Sequence, residues 1–267
     1  TSHKNKIVAG DFFLSDAAEI EKELDALRTK KPKVFNIETT NYCNMKCIMC
    51  PRTELMTRKN IWIDDSTFLK VVDQIQPHSN QDLEKFWDFI ESEYGLNENE
   101  PSENTFYFRV VSRCVILHGY GEPLLDKKIV ERIKVCADRG IPTYFSCVPA
   151  NLTVERAKEV MDAGLTVFKF SIDALDDEWQ KRIRGSQNNF DASYRTILDI
   201  IDLKKEQGYK TLLVPTMIAL SEDTTSRKMH SRFMELWKDK DVFAYVKSQD
   251  NRWLLEEDEA MENRSHY

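Results

Sequence analysis

Cys43, Cys47 and Cys50 lie within eight residues of one another, in the run Thr-Asn-Tyr-Cys-Asn-Met-Lys-Cys-Ile-Met-Cys-Pro. The spacing Cys-x3-Cys-x2-Cys puts three soft thiolates on one tight loop, with no obvious fourth ligand. A structural zinc site closes on four protein ligands. An iron–sulfur cluster held by three cysteines leaves one iron open to something other than protein. That open iron is free for chemistry. A second stretch, Gly119-Tyr-Gly-Glu-Pro123, joins two glycines, which let backbone approach a ligand closely, to a carboxylate at Glu122. Further along, Cys147, Asp173 and Ser248 each close or follow an apolar run, and Ser171 lies near the end of one of them.

Such residues need a scaffold that brings them to one place. The apolar run at Val34, Phe35 and Ile37 reads as a strand over 33–39 that feeds the cysteine loop. From there short apolar runs alternate with helical periodicity, the signature of β/α architecture. Strands are expected near 113–118, 142–147, 166–172, 211–219 and 242–247. Helical stripes fall between them, among them Ile129, Ile133 and Cys136, then Ala157, Val160 and Met161, a short helix near 177–184, one over 191–207, and one carrying Met229, Phe233 and Trp237. An N-terminal helix is expected over 16–28 and another around Phe68 to Ile75. The fold class is therefore α/β, a partial (β/α)6 TIM-like barrel with parallel strands. Residues 78–108 break the rhythm and read as an insertion, one extra helix with the stripe Leu83, Phe86, Trp87, Ile90 and Tyr94 plus a polar loop at the rim. The domains expected are a helical extension over 1–32, the barrel over 33–248 and an acidic linker over 249–267. Parallel sheets of this kind place their chemistry at the C-terminal strand ends. The cysteine loop, the Gly-Glu-Pro turn, Cys147, Asp173 and Ser248 all fall on that side.

The chain has 267 residues and a net charge of −7, with acids and bases mixed along it. No Lys/Arg block marks a nucleic-acid footprint. No apolar run approaches the roughly 20 residues that span a bilayer, so no membrane partner is expected. Six cysteines, three crowded in one loop and three in apolar contexts, fit a reducing, cytoplasmic compartment better than a disulfide framework.

At this point the chain resembles the radical SAM superfamily. The resemblance rests on Cys43, Cys47 and Cys50 after the first strand and on Gly121-Glu122-Pro123 after the second. Ser171-Ile-Asp-Ala174, Ile183-Arg-Gly185 and Phe190-Asp191 further resemble its peptide-modifying, SPASM-type branch. It covers roughly 33–247. The resemblance implies that the three thiolates hold a [4Fe–4S] cluster whose fourth iron chelates S-adenosylmethionine. Reductive cleavage then yields a 5′-deoxyadenosyl radical that abstracts a substrate hydrogen. It implies that the Tyr120 carbonyl, Gly121 and Glu122 receive the ammonium of S-adenosylmethionine, with Ser171 at its ribose or carboxylate and Arg184 at its carboxylate. Asp173, which ends a strand, is a candidate substrate contact or else a cap for the turn ahead of Asp176, and Cys147 is a candidate hydrogen-atom donor of the kind found in epimerising relatives. Cys114 and Cys136 read as inert buried thiols. The residue before the third cysteine, usually aromatic in the family, is Met49 here. That leaves the adenine grip to others, with Val214, Pro215 and Met217 as candidates.

The implied partners are a peptide or small-molecule substrate and an electron donor such as ferredoxin or flavodoxin. A sugar or other small metabolite is the alternative substrate. Of another class, a non-catalytic metal-binding interaction domain accounts for the cysteines but gives Gly121-Glu-Pro123 no role. A methyltransferase or methylthiolase is expected to carry further cysteines or an added domain. No cysteine follows Cys147, so the stretch 249–267 reads as a linker cut before an auxiliary-cluster domain.

Overall fold

The structure, a computed structural model, describes residues 21–22, 36–221 and 223–249. The chain divides into two units, Thr1–Val34 and Phe35–Tyr267. Of the first, Glu21 and Lys22 are described and are helical; the rest of the helix expected over 16–28 lies outside the described residues, as do 250–267.

The second unit is built on a parallel sheet of five strands in sequential order. They are β1 (Val115–Ile116), β2 (Thr143–Cys147), β3 (Val167–Ser171), β4 (Leu212–Ala219) and β5 (Tyr245–Ser248). Beyond β1, Asn36 bridges Ile116 in parallel, and the Ile37 amide donates to the Ile116 carbonyl at 2.8 Å. The first expected strand is thus reduced, among the described residues, to this single bridge. It still delivers the chain to the cysteine loop beside β1.

Helices alternate with the strands, in chain order α1 (Arg52–Leu55), α2 (Asp65–Val72), α3 (Asn80–Tyr94), α4 (Glu103–Arg113), α5 (Ile129–Ala137), α6 (Val154–Asp162), α7 (Asp177–Arg184), α8 (Phe190–Gln207) and α9 (Thr224–Trp237). Their starts are local chemistry: Asp64, Ser79, Ser102, Thr153, Asp176, Asn189 and Asp223 each cap an orphan N–H of the first turn. The convex face of the sheet is a phenylalanine layer, Phe145, Phe168 and Phe170, all fully buried, with ring centroids 5.0 and 4.6 Å apart. Alternation along the strands sends their neighbours Tyr144, Ser146, Lys169 and Ser171 to the concave face.

The insertion departs from the expected single helix and loop. It holds two helices, α3 and α4, and α4 runs past the expected end of the insertion to Arg113, the first residue of the expected strand. The expected strand over 113–118 shrinks to Val115–Ile116 as a result. Nor is α4 a rim ornament. It contacts both β1 and β5, the two ends of the five-strand order. Its Phe106 packs on Tyr144, Phe243 and Tyr245 at centroid distances of 5.4, 6.2 and 5.1 Å. With Val110, Cys114, Val167 and Val214 these residues form a buried cluster that fills the lower part of the half-barrel.

Candidate active site

At the C-terminal strand ends, a cavity of about 310 Å³ collects the chemistry-bearing residues. Cys43, Cys47 and Cys50 form one wall. Gly119, Tyr120, Gly121 and Glu122 line it too, with Cys147, Ser171, Arg184 and Ser248. Of the site residues named from sequence, Asp173 and the adenine candidates Val214, Pro215 and Met217 lie off this cavity.

The cysteine loop is pinned at both flanks. The amides of Lys46 and Ile48 donate to the carbonyls of Arg184 and Ile183 at 3.3 and 3.0 Å, so the loop rests on the C-terminal end of α7. Before it, the Asn41 side chain spans to the 59–61 segment, donating to the Lys59 carbonyl at 2.9 Å and accepting from the Ile61 amide at 2.8 Å. All three thiols are free. Burial pushes the Cys43 thiol up to about 11 and raises Cys47 as well, against the pull of Arg184. Arg184 reaches the Cys47 sulfur at 3.5 Å through Nη1. Met49 packs with Cys43 and Cys50 against Met45, Cys47 and Val148, so the thioether helps to make the apolar wall that an aromatic ring makes elsewhere in the family.

The glycine turn fits against the strand end that leads into the cysteines. A Cβ on Gly121 would collide with the Thr40 carbonyl oxygen and sit 3.0 Å from the Asn41 Cα. Only glycine allows this approach. On Gly119 an added Cβ would meet the Glu38 carboxylate, 2.6 Å from Oε1, a side-chain tip that can swing away. Gly121→Ala is therefore expected to cost about 1–3 kcal/mol of stability and, by displacing the loop, about 10²-fold in activity. Gly119→Ala should leave thermal unfolding nearly unchanged. Unfolding midpoints and cosubstrate cleavage measured side by side check the pair; equal effects would refute the close-approach argument.

Glu122 is buried, and its two carboxylate oxygens accept from the Leu124 and Val148 amides at 3.2 and 3.0 Å. Burial raises its carboxyl to about 7 despite those bonds. The same side chain thus caps the turn and ties it to the end of β2. Ser171 shares a 3.2 Å contact with Ser146 through their hydroxyls. Asp173 stands behind the wall, 1% exposed, paired with Arg184 through Nε and accepting from the Ile218 amide at 2.9 Å. Burial pulls the Arg184 guanidinium down, but Asp173 and then Cys47 outweigh it and hold the cation firmly. Of the residues suggested for the adenine, Val214 belongs to the lower core cluster. Pro215 and Met217 are buried on the opposite parity of β4, and it is Ile218 that lines the cavity. The sequence reading also missed Ser146 and Lys247 on the cavity wall, where His118 lies as well.

The Radical SAM superfamily model matches residues 107–227. Over that span the chain is similar to the radical SAM superfamily. The cysteine loop lies ahead of the matched span and stands on the geometry above. A tungsten-containing aldehyde ferredoxin oxidoreductase cofactor-modifying protein of Pyrococcus furiosus is 26% identical over 143 residues, 54% of this chain and 31% of that protein. In fold, the chain is similar to Streptococcus suis SuiB bound to S-adenosylmethionine (TM-score 0.54, 13% identity, 88% of this chain and 45% of the other). It is likewise similar to methylornithine synthase, PylB (TM-score 0.53, 15% identity, 82% and 54%). The chain thus spans about a third to a half of the relatives it matches.

Radical SAM proteins use a [4Fe–4S] cluster and S-adenosylmethionine, and the donor set here fits them. Three free thiols on one loop open onto the cavity, while Cys147, the other cysteine that lines it, stands across from the loop on β2. Among the described residues no three Cys, His, Asp or Glu side chains converge on a single-ion centre.

Proposed function

We propose that this chain is the catalytic barrel of a radical SAM enzyme that abstracts hydrogen from a peptide or protein side chain. One observation carries the reading: three free thiols and the Gly119–Pro123 turn line a single cavity at the C-terminal strand ends. Cys43, Cys47 and Cys50 would hold the cluster. The Tyr120 carbonyl, the Gly121 backbone and Glu122 would receive the ammonium of S-adenosylmethionine, and Ser171 and Arg184 its ribose and carboxylate. When bound, cluster and cosubstrate supply reductive cleavage to a hydrogen-abstracting radical. Met45, Met49, Val148 and Ile218 form the apolar part of the wall and exclude water, which protects a reactive species from side reactions.

Asp173 is a positioning residue in this reading. It anchors Arg184, which in turn touches Cys47. Cys147, 1% exposed, keeps its S–H because burial holds the thiol well above its ordinary range, and it stands ready to return a hydrogen atom to substrate. The peptide assignment draws on Ser171-Ile-Asp-Ala174 and Ile183-Arg-Gly185, and on the likeness in fold to SuiB, a protein solved with its precursor peptide SuiA. A ferredoxin or flavodoxin would supply the electron, in a reducing cytoplasmic compartment. Among the described residues no helix is long and apolar enough to cross a membrane.

Anaerobic reconstitution tests the proposal. The loaded protein should hold about four irons per chain and, with dithionite, release 5′-deoxyadenosine from S-adenosylmethionine. A full iron complement that yields no such product rejects the catalytic reading, and one zinc per chain supports a structural metal loop instead.

A further inference from the structure

The concave face carries a pair of cations that neither the fold nor the cosubstrate reading uses. Lys169 lies on β3, two residues before Ser171 and therefore on the same face, and in register with Ser146 of β2. Both serines line the cavity, and Lys169 shares their face of the sheet, set beneath the lining residues beside the core cluster. The side chain is 9% exposed. Its ammonium stands 5.5 Å from the ring centroids of both Phe106 and Tyr245. Aromatic faces replace only part of the hydration lost on burial. Among the described residues Lys169 makes no ion pair, and neither does Lys247. Lys247, half-buried on β5, is in register with Ile218 and lines the same cavity.

The neighbours make the vacancy sharper. Burial, then the charge of Lys247, then that of Arg184 lower Lys169 to about 7, with Asp173 and Glu103 pulling weakly the other way. Asp173 is already spent on Arg184 and the Ile218 amide, and Glu103 on the Ser248 amide at 2.8 Å. His118 accepts from the Ser146 amide through Nδ1 at 3.3 Å, so the ring carries its proton on Nε2 and is a donor. Two lysines, two hydroxyls and an imidazole N–H therefore share this end of the site, where the nearby carboxylates of Asp173 and Glu103 are already engaged.

We propose that this end of the cavity is a carboxylate subsite, in which Lys169 and Lys247 hold an acidic group of the substrate. The inference rests on the cavity being the substrate site proposed above, and it narrows the substrate to one that carries a carboxylate. A phosphate fits less well. Among the described residues no helix N-terminus meets the lysines, and the guanidinium of the same cavity is given above to the cosubstrate.

The test uses the reconstituted holoenzyme with S-adenosylmethionine at constant ionic strength, and compares glutarate with its neutral isostere glutaramide. Glutarate at ten times its Kd should raise Tm by about 3 °C, glutaramide hardly at all, and Lys169→Met and Lys247→Met should each lose the shift. Lys247 is half-buried, so K247M carries the test if K169M does not fold. Equal shifts from acid and amide, a shift that survives in K247M, or a larger response to inorganic phosphate would overturn the assignment. So would loss of S-adenosylmethionine binding along with the glutarate response in K169M, which would give the lysine to the cosubstrate. The two readings fail separately. Wild-type protein that responds to glutarate but makes no 5′-deoxyadenosine defeats the radical reading alone, and protein that makes it without responding to glutarate defeats the subsite alone.

Discussion

Alanine at any one of Cys43, Cys47 and Cys50 should abolish cleavage of S-adenosylmethionine, while alanine at Cys114 or Cys136 should leave it intact. The contrast follows from where the sulfurs stand. The trio opens onto the cavity with all three thiols free of disulfides. Cys114 and Cys136 are buried in the core, where burial pushes each thiol up to about 12 and keeps it inert. Enzymes commonly accelerate reactions by about 10⁶-fold or more, and here the hard chemistry belongs to the cofactor. Loss of one ligand is thus expected to lower deoxyadenosine formation by at least about 10³-fold, with iron content and the visible absorbance of the cluster falling in parallel. Full activity in any trio variant would remove the basis of the site. Core controls that lose activity in proportion to lost folding would show only that the barrel is fragile.

Phe106→Ala should destabilise the barrel by about 3–5 kcal/mol, the range for removing a buried aromatic ring. Phe106 is 5% exposed and meets three aromatic rings from β2, β5 and the approach to β5. It is also one of the two rings that face the Lys169 ammonium. Its loss opens a cavity in the cluster that fills the half-barrel and strips the lysine of half its aromatic surroundings. Phe89, on the companion helix α3, is 54% exposed, and alanine there should cost no more than about 0.5 kcal/mol. Denaturant midpoints of the two variants, with equal slopes, check the difference. A Phe106→Ala cost near that of Phe89→Ala would mean that α4 is an appendage rather than part of the core.

The missed helix shows where the sequence stopped being legible. Thr105-Phe-Tyr-Phe-Arg-Val-Val is rich in β-branched and aromatic residues, which favour strands. It runs straight into Cys114-Val-Ile-Leu, so helix and strand merge into one apolar stretch. The signal that separates them was present but short. Pro101 precedes Ser102, whose hydroxyl accepts from the Thr105 amide at 3.1 Å, and Phe106 and Val110 follow at helical spacing. Elsewhere the βα alternation was clear because polar punctuation separated the runs, as Asp176 does before α7 and Asn189 before α8.

The site divides in the same way. The cysteine spacing and the Gly-Glu-Pro turn are local and could be read directly. The Asp173–Arg184 pair joins residues eleven apart across a strand end and a helix, so no pattern announces it. Lys169 was legible in principle. A lysine inside Val-Phe-Lys-Phe-Ser, with the same parity as Ser171, had to share its face of the sheet.

α4 contacts β1 and β5, and its Phe106 stands against the Lys169 ammonium, so among the described residues packed side chains close that side of the lysine. A substrate group that reached Lys169, as proposed above, would then approach from the side that the three cysteines line. Under that proposal substrate and cosubstrate would share an approach, and their order of entry becomes a measurable property.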